Sequence, residues 1–205
     1  MSRIIAGSRG GRRLTMPAGS RTRPTTDRVR EALFSALTAW AGTADVPADA
    51  ALAGLAVADL YAGSGAVGLE AASRGAAPVL LVESDRRTSQ LAGRNAGELG
   101  LRVQVDTARV ESLVGSPAPR GYDVVFLDPP YELPGPALDG VLADLARQGW
   151  LAPDAMVVVE RSRRGPGPGW PASAGESWTK SYGETALHFA TFPGPVEAPV
   201  SGHDR

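Results

Sequence analysis

Residues 57–72 read VADLYAGSGAVGLEAA, in which an apolar strand pattern passes through a glycine-rich loop into a helix pattern. Gly63, Gly65 and Gly68 have the spacing G-x-G-x-x-G within this stretch. Glycines at such a junction permit a tight turn and allow a ligand to approach the backbone, while the helix start offers N–H groups. The stretch predicts a nucleoside-cofactor site; the alternative is a packing turn whose glycines bind nothing.

Short apolar runs and amphipathic stretches alternate along the chain from residue 54 onward. The pattern predicts strands over 55–62, 79–84, 102–107, 122–128 and 155–162, separated by helices over 66–75, 85–100, 108–114 and 136–150. Such alternation is typical of parallel βαβ units, so the expected fold class is α/β with a doubly wound, mostly parallel sheet. The runs 177–183 and 184–192 have no helix between them, and we expect them to form an antiparallel hairpin.

Composition narrows the class of protein. A chain of 205 residues with 43% apolar residues can bury one sizeable core and a small appendage. No window approaches about 18 uninterrupted apolar residues, and Ile4–Ala6 is too short for the core of a secretory signal. Cysteine is absent, which excludes a disulfide framework, and His188 and His203 stand far apart without a cluster to hold a metal. We expect a cytoplasmic, monomeric protein that binds neither a membrane nor a metal.

The formal net charge is -1, but the charged residues are distributed unevenly along the chain. Residues 1–30 contain one acid, Asp27, and eight arginines: Arg3, Arg9, Arg12, Arg13, Arg21, Arg23, Arg28 and Arg30. The rest of the chain holds 21 acidic and 13 basic side chains. A basic arm on an acidic body predicts a polyanionic partner, most often nucleic acid, and a solvated tail is the alternative.

The residues before the alternating region have their own pattern. Residues 2–15 read as a short hairpin around a Gly-rich turn. A helix is predicted after Thr26, whose side chain suits an N-cap, and its apolar face consists of Val29, Leu33, Phe34 and Leu37. Residues 42–53 read as a loop.

Two acids near the glycine loop bear on which nucleoside cofactor would bind. Glu83 ends the next strand about 20 residues on, where a carboxylate can accept hydrogen bonds from ribose hydroxyls. Asp59 precedes the loop and can reach the amino or carboxyl end of S-adenosylmethionine through water, whereas a pyrophosphate gains nothing from a negative charge. The pair favours S-adenosylmethionine over a dinucleotide. Asp106, Thr107 and Ala108 close the third strand, where an adenine contact is expected from one of them.

A second stretch, YDVVFLDPPYE at residues 122–132, ends a strand in an acid, two prolines and a tyrosine. The first and fourth strands should flank the topological switch point, so this end should share a crevice with the glycine loop. The Asp128 carboxylate and the Pro129 carbonyl can bind both N–H bonds of an exocyclic amine and aim its lone pair at a methyl sulfonium. Pro130 restricts the backbone further, and Tyr131 offers a face on which a base can stack. The alternative is a strand-ending turn with a buried tyrosine.

With these motifs the chain resembles the S-adenosylmethionine-dependent amino-methyltransferases, whose fourth strand ends in (Asn/Asp/Ser)-Pro-Pro-(Tyr/Phe/Trp). More narrowly, it is similar to the bacterial 16S rRNA guanine-N2 methyltransferases of the RsmD type. The resemblance covers nearly the whole chain, through the segments RIIAGSRGGRRL, RPTTDRVREALFSAL, DLYAGSGAVGLEAASRGA, VESD, FLDPPY and YGETALHF. The segment RPTTDRVREALF is the most specific of these.

The resemblance implies a Rossmann-like methyltransferase domain over 54–192, with a seven-stranded sheet that ends in an antiparallel hairpin. It implies a basic RNA-binding extension over 1–41, and residues 193–205 are expected to be a flexible tail. The implied cofactor is S-adenosylmethionine. The implied acceptor is the 2-amino group of one guanine in 16S rRNA, presented by the 30S subunit or an assembly intermediate.

The resemblance also implies roles for individual residues. The implied catalytic set is Asp128, Pro129, Pro130 and Tyr131. Cofactor contacts are expected from Asp59, Tyr61, Gly63, Ser64, Gly65, Glu83, Ser84, Thr107 and Ala108. RNA contacts are expected from Arg3, Arg9, Arg12, Arg13, Arg23, Pro24, Thr25 and Arg28. Thr107 departs from the family pattern, because relatives often carry an acidic or amide residue in that place.

Other functions remain open at this point. Methylation of adenine N6 or of a protein glutamine amide uses the same fold and cofactor, but such enzymes usually carry Asn at the position of Asp128. An ionised aspartate only accepts hydrogen bonds, which suits a guanine amino group. A nicotinamide-dependent oxidoreductase fits the glycine spacing and leaves DPPY unexplained. A non-catalytic RNA-binding module fits the arginine arm and leaves the glycine loop without a use.

Overall fold

The structure is a computed structural model, and it describes residues 2–17 and 26–194. Its strands are β1 (Ser2–Arg3), β2 (Arg13–Leu14), β3 (Val57–Leu60), β4 (Val79–Glu83), β5 (Gln104–Thr107), β6 (Tyr122–Leu127), β7 (Leu151–Ser162), β8 (Ser177–Tyr182) and β9 (Thr185–Phe192). Its helices are α1 (Asp27–Trp40), α2 (Ala66–Ser73), α3 (Arg86–Leu99), α4 (Val110–Val114) and α5 (Gly135–Arg147). The predicted flexible tail lies outside the described residues, except for Pro193 and Gly194. In the two described ranges, no helix is long and apolar enough to span a bilayer.

Strands β3 to β9 form one sheet in the order β5-β4-β3-β6-β7-β9-β8. The neighbouring pairs β5–β4, β4–β3, β3–β6 and β6–β7 are parallel, and β9 is antiparallel to both β7 and β8. The predicted doubly wound α/β sheet with a C-terminal hairpin is therefore confirmed. Strand order reverses between β3 and β6, where Leu60 pairs with Leu127. Ligands of open α/β sheets bind at the carboxyl ends of strands beside such a reversal.

The central strands are buried because helices cover both faces of the sheet. All four residues of β3 are buried, and so are most residues of β4 and β6. Near-continuous apolar runs are typical of parallel strands in this position. Since successive side chains point to opposite faces, Leu81 packs in one core cluster with α1, α2 and α3, while Leu80 packs in a second with α4 and α5.

Local sequence sets the bounds of α3. The Asp85 carboxylate accepts a hydrogen bond from the Thr88 N–H at 2.8 Å, which is the contact of an N-cap. Gly100 follows the helix in the left-handed conformation, with a φ of 64°. Helix α3 is one residue shorter at each end than the predicted 85–100, and Gly100 ends it as predicted.

The end of α5 differs from the sequence-based prediction. The pattern predicts a helix through residue 150, but α5 ends at Arg147. Gly149 leaves helical geometry with a φ of 78°, and Trp150 turns into the core, where it is 2% exposed. Strand β7 then begins at Leu151, earlier than predicted, because Leu151 pairs with Tyr122.

The basic extension contains the predicted hairpin and helix. Strands β1 and β2 pair in antiparallel fashion, and the Thr26 hydroxyl oxygen accepts a hydrogen bond from the Val29 N–H at 3.3 Å to cap α1. Ile4, Leu33 and Phe34 pack in the same core cluster as residues of the large sheet. The described part of the extension therefore shares its core with the sheet.

Helix α2 holds the hairpin through two buried polar side chains. The Glu70 carboxylate accepts hydrogen bonds from the Ile5 N–H at 2.6 Å and the Ala6 N–H at 3.0 Å. The Ser73 hydroxyl donates to the Ala6 carbonyl at 2.7 Å. Gly7 has a φ of 82°, and a Cβ there would lie 2.0 Å from the Ser73 carbonyl oxygen, so only glycine permits this approach. The hairpin thus rests on the helix that begins at the glycine loop.

Candidate active site

A cavity of about 840 Å³ lies at the carboxyl ends of β3, β4 and β6. Segments far apart in sequence line it. Its lining residues include Asp59, Tyr61, Gly63 and Ser64 at the end of β3, Glu83, Ser84 and Thr88 at the end of β4, Arg109, Val110 and Glu111 after β5, Asp128, Pro130, Glu132, Leu133 and Pro134 after β6, and Met16 and Pro17 of the extension. The glycine loop and the DPPY motif therefore face one cavity, as the strand order requires.

The glycines of the loop after β3 have different tasks. Gly63 and Gly65 adopt left-handed backbone conformations, with φ values of 55° and 82°. Both angles are strained for residues with a side chain. Gly68 lies inside α2, where a Cβ would be 2.1 Å from the Leu81 Cδ2. The third glycine of the motif therefore allows α2 to pack closely on β4.

Two carboxylates fix this loop by accepting hydrogen bonds from its backbone. Glu83 Oε2 accepts from the Gly63 N–H at 3.0 Å. Asp59 Oδ2 accepts from the Gly68 N–H at 2.8 Å. Gly65 stands at the start of α2 and has no side chain with which to cap it, so the Asp59 carboxylate supplies an acceptor for the first turn.

Asp59 is 2% exposed, which is unusual for a carboxylate. Burial, opposed by the Gly68 hydrogen bond and reinforced by the negative charges of Asp128 and Glu83, raises the pKa of this carboxyl to about 7. A carboxyl whose pKa is shifted into the neutral range inside a cavity is a frequent mark of a functional site. A cationic group of a ligand would favour its ionised form.

The segment Asp128–Pro134, called here the acceptor loop, follows β6. Pro129 is buried and Tyr131 is 66% exposed. Neither is among the lining residues, although their neighbours Asp128, Pro130 and Glu132 are. The Leu133 N–H donates to the Pro130 carbonyl at 3.0 Å and closes a turn within the loop. The predicted aromatic residue is therefore available to a large ligand, and it is not the buried tyrosine of the alternative reading.

Arg161, near the end of β7, contacts the acceptor loop. Its guanidinium donates to the Pro130 carbonyl at 3.4 Å and to the Leu133 carbonyl at 3.3 Å. A planar guanidinium can donate to two acceptors at once, so one side chain supports both ends of the turn. These hydrogen bonds are long, so they restrain the loop only weakly. The two successive prolines restrict its backbone covalently and so restrain it further.

Asp128 lies next to the glycine loop because of the strand register. It follows Leu127, which pairs with Leu60, and its N–H donates to the Leu60 carbonyl at 3.4 Å. The charge of Asp128 contributes to the raised pKa of Asp59. The Asp128 carboxylate is therefore close enough to Asp59 to influence it, and both residues line the same cavity.

Tyr61 is a strained residue in the cavity wall. Its φ of 66° lies in the left-handed region, which is uncommon for a residue with a side chain. Its hydroxyl donates to Glu111 Oε1 at 3.0 Å. Burial raises the pKa of this hydroxyl above its usual range, and the charge of Glu111 adds to the rise, so the hydroxyl stays protonated and donates.

The cavity brings together many of the residues predicted from the sequence. Among its lining residues are the predicted contacts Asp59, Tyr61, Gly63, Ser64, Glu83, Ser84, Asp128 and Pro130. Gly65 packs behind them against Leu81. Thr107 and Ala108 are not among the lining residues: the Thr107 hydroxyl bonds to that of Ser89 at 2.6 Å, and Ala108 packs against the second core cluster. The adenine contact expected of these two residues stays a prediction.

Two parts of the cavity wall were not predicted from the sequence. Arg109, Val110 and Glu111 line it at the start of α4, just beyond the residues expected to contact adenine. Their position directly after a parallel strand was a usable signal. Met16 and Pro17 close the cavity from the extension. They are far from the glycine loop in sequence, and no spacing connects them to it.

The residues predicted to contact RNA have different environments. The exposed ones are Arg3, Arg12, Arg13 and Arg28. Arg3 also pairs with Asp27 at 3.4 Å, and the partly buried Arg9 donates from Nε to the Leu99 carbonyl at the end of α3. Arg23, Pro24 and Thr25 lie outside the described residues. RNA binding by this set stays a prediction.

The chain is similar to known proteins over most of its length. The family described as Conserved hypothetical protein 95 matches residues 2–191. Ribosomal RNA small subunit methyltransferase D of Escherichia coli (strain K12) is 39% identical over 160 residues, which cover 77% of this chain and 73% of that protein. The protein of the same name from Haemophilus influenzae is 32% identical over 168 residues, 80% of each chain. The solved structure of yhhF from Escherichia coli has a TM-score of 0.78 and 35% identity, covering 93% of this chain and 97% of that one.

Proposed function

The chain belongs to the family described as Conserved hypothetical protein 95, the RsmD family, and from that premise we propose that it transfers a methyl group from S-adenosylmethionine to the 2-amino group of a guanine in 16S rRNA. The observation that carries the proposal is the shared cavity: Asp128 of the acceptor loop and Gly63 of the glycine loop both line it. A donor and an acceptor must meet in one place for the transfer to occur.

The cavity has the properties that such a cofactor needs. Its volume of about 840 Å³ lies in the range of roughly 300–1,000 Å³ that is usual for small-molecule sites. Apart from Gly63 and its two chain neighbours, no heavy atom of the described residues lies within 4 Å of the place where a Cβ on Gly63 would stand, so a ligand can approach the backbone there. Glu83 would hold ribose hydroxyls and Asp59 the amino-acid end of the cofactor.

S-adenosylmethionine supplies an electrophilic methyl group on a sulfonium. The residues of this chain hold and orient the acceptor. The lone pair of an exocyclic amine is delocalised into the base, so the nitrogen is a poor nucleophile. The Asp128 carboxylate and the Pro129 carbonyl accept its two N–H bonds, which draws the nitrogen toward tetrahedral geometry and directs the lone pair outward. Asp128 can then take up the proton that the cationic amine releases.

The remainder of the acceptor loop positions the base. Tyr131, at 66% exposure, offers an open ring on which an extruded guanine stacks. The turn that contains Tyr131 is supported by Arg161 through the Pro130 and Leu133 carbonyls. A fixed turn keeps the Pro129 carbonyl in place before the substrate arrives, which is preorganisation.

Asp128 suits the amino group of guanine at least as well as it suits the alternative acceptors. An ionised aspartate only accepts hydrogen bonds, and the amino group of guanine only needs to donate them. Asparagine in this place would accept and donate, as enzymes acting on adenine N6 or on glutamine amides use it. A nicotinamide oxidoreductase would use the glycine loop but leave the acceptor loop without a task, and a non-catalytic RNA-binding module would leave the glycine loop without one.

The basic extension supplies the contact to rRNA in this proposal. Arg12 and Arg13 are exposed on the hairpin and can bind phosphates without reading sequence. Because so small an extension can read few bases, we expect the target guanine to be presented by the 30S subunit or an assembly intermediate rather than by free rRNA. The protein acts as a monomer in the cytoplasm on this reading, and the transfer as written uses no metal.

Replacing Asp128 by alanine separates transfer from cofactor binding. Because Asp128 holds the amine and not the sulfonium, Asp128→Ala should lower the rate of methyl transfer to 30S particles by about 100-fold or more. The affinity for S-adenosylhomocysteine, measured by calorimetry, should be unchanged. Glu98→Ala, an exposed acid on α3, is the matched control and should keep both properties. Equal losses of transfer and of cofactor affinity in Asp128→Ala would contradict the assignment.

A further inference from the structure

Asn95 is a buried polar residue that the proposed reaction does not use. It lies on α3 and is 2% exposed. Its Nδ2 donates to the Thr15 carbonyl and to the Ser64 carbonyl, each at 3.0 Å. Its Oδ1 accepts from the Thr15 N–H at 3.0 Å. One side chain therefore contacts the N-terminal extension and the glycine loop at once.

The orientation of this amide follows from its neighbours. Rotated by half a turn, Asn95 would place its oxygen against the Thr15 and Ser64 carbonyls and its NH₂ group against the Thr15 N–H. All three contacts would then be repulsive. The amide in the observed orientation matches both backbone groups of Thr15, and it has a second donor left for Ser64.

The two residues that Asn95 connects belong to two different segments that reach the cavity wall. Ser64 is itself a lining residue. Thr15 is followed by Met16 and Pro17, which line the cavity from the extension. A ligand that fills the cavity touches both segments, so its binding favours the arrangement in which Asn95 holds them together.

Thr15 also connects this contact to the surface that carries the arginines. It directly follows β2, which contains Arg13, and Arg12 precedes that strand. Helix α3 contacts the extension a second time, where Arg9 donates to the Leu99 carbonyl. Thus α3 supports the hairpin at one end and the glycine loop through Asn95.

We infer that Asn95 is a positioning residue that couples binding of the cofactor in the cavity to binding of rRNA on the basic hairpin. The inference rests on the proposed function, since it takes the cofactor and the RNA from there. Because such coupling is reciprocal, the cofactor product should raise the affinity for RNA by the same factor by which RNA raises the affinity for the product.

The test compares RNA affinity with and without S-adenosylhomocysteine. The probe is the small-subunit particle purified from cells that lack this protein, and its affinity is measured by sedimentation. For the unaltered protein, saturating S-adenosylhomocysteine should raise the affinity at least about fivefold, the lower end of typical couplings. In Asn95→Ala this ratio should fall to about one.

Ser73→Ala is the matched control. Ser73 is buried and also fastens the extension, but its bonds to Ala6 and Arg9 do not involve the glycine loop. A purely structural role of Asn95 would change both variants alike, whereas the coupling role leaves the ratio of Ser73→Ala at the unaltered value. A ratio of one in the unaltered protein, or an unaltered ratio in Asn95→Ala, would overturn the inference.

A second measurement needs no variant and so covers the case in which Asn95→Ala does not fold. In the unaltered protein, S-adenosylhomocysteine should slow hydrogen exchange of the Thr15 N–H, which donates to Asn95. The Arg163 N–H, bonded to the Glu184 carbonyl at 2.9 Å, is the reference amide and should not change. Equal exchange of Thr15 with and without the ligand would overturn the coupling. Failure of the unaltered protein to bind the ligand or the particle would instead refute the proposed function.

Discussion

The two sides of the cavity are held in different ways. On the cofactor side, the Asp59 carboxylate accepts from the first turn of α2 at 2.8 Å and the Glu83 carboxylate from the glycine loop at 3.0 Å. Helix α2 also packs on β4 with no room for a side chain at Gly68. On the acceptor side, the loop after β6 is supported by the longer bonds of Arg161 and by two prolines, and Tyr131 is largely exposed.

This difference fits the two ligands that the proposed function assigns to the cavity. A small cofactor can be enclosed, so its side is built from closely packed groups and hydrogen bonds of ordinary length. A base that belongs to a large RNA must enter from outside, so its side needs an open face and a backbone restricted by covalent geometry. Substitutions on the cofactor side should therefore change stability, and those on the acceptor side should change substrate use.

The largest expected effect comes from Gly68→Ala. The added methyl would lie 2.1 Å from the Leu81 Cδ2 and push α2 away from β4. Overpacking of this kind costs up to about 3 kcal/mol of unfolding free energy, which urea denaturation would measure. The thermal shift caused by S-adenosylhomocysteine should disappear with it.

Gly140→Ala is the control for that substitution. Gly140 lies in α5, and apart from its two chain neighbours and the nearby backbone of that helix no atom of the described residues is within 4 Å of its added Cβ. Alanine there should stabilise the helix by up to about 1 kcal/mol. Equal stability of the two variants would contradict the close packing assigned to the cofactor side.

The next effect is a pH dependence that belongs to Asp59. Its folded-state pKa of about 7 lies above the unfolded value of 3.8, so the folded protein binds the proton more tightly. The stability that this adds is present at low pH and is lost as the pH rises toward about 7. Between about pH 5 and about pH 8 the loss amounts to about 2 kcal/mol.

Asp59→Asn removes this titration while keeping an oxygen for the Gly68 N–H. Between about pH 5 and about pH 8, the unaltered protein should therefore lose about 2 kcal/mol more unfolding free energy than the variant does. Urea unfolding at the two pH values gives this difference. Parallel pH profiles would mean that Asp59 titrates as an ordinary exposed acid.

The smallest effect is expected on the acceptor side, from Tyr131→Ala. Because the ring is 66% exposed, its loss should leave the melting temperature unchanged. Loss of stacking on the target base should lower kcat/KM for the particle by about tenfold. Tyr131→Phe keeps the ring and should keep the rate. A fall in melting temperature without a change in kcat/KM would contradict the expectation that substitutions on the acceptor side change substrate use rather than stability.

Much of this architecture could be predicted from the sequence because it depends on local patterns. The alternation of apolar runs and amphipathic stretches determines the parallel sheet, and Asp85 and Gly100 mark the ends of α3. The glycine spacing and the DPPY motif fall at strand ends, which topology brings together. Strand order alone therefore predicts that the two motifs face one cavity.

The parts that could not be predicted depend on contacts between distant segments. Asn95 reads as one polar residue of an amphipathic helix, and its bonds to Thr15 and Ser64 exist only after the extension has packed on α3. Glu70 likewise reads as a surface acid of α2, yet it is fully buried against the Ile5 and Ala6 backbone. Neither role has a spacing that the sequence displays.

The central claim is that this chain methylates the 2-amino group of a guanine in the small-subunit rRNA. Mass spectrometry of nucleosides, mapped along that rRNA from cells with and without the protein, tests it most directly. The account predicts that one N2-methylguanosine disappears without the protein and returns when the protein is restored, but not when Asp128→Ala is supplied. Loss of a methylated adenine instead, or an unchanged methylation map, would contradict it.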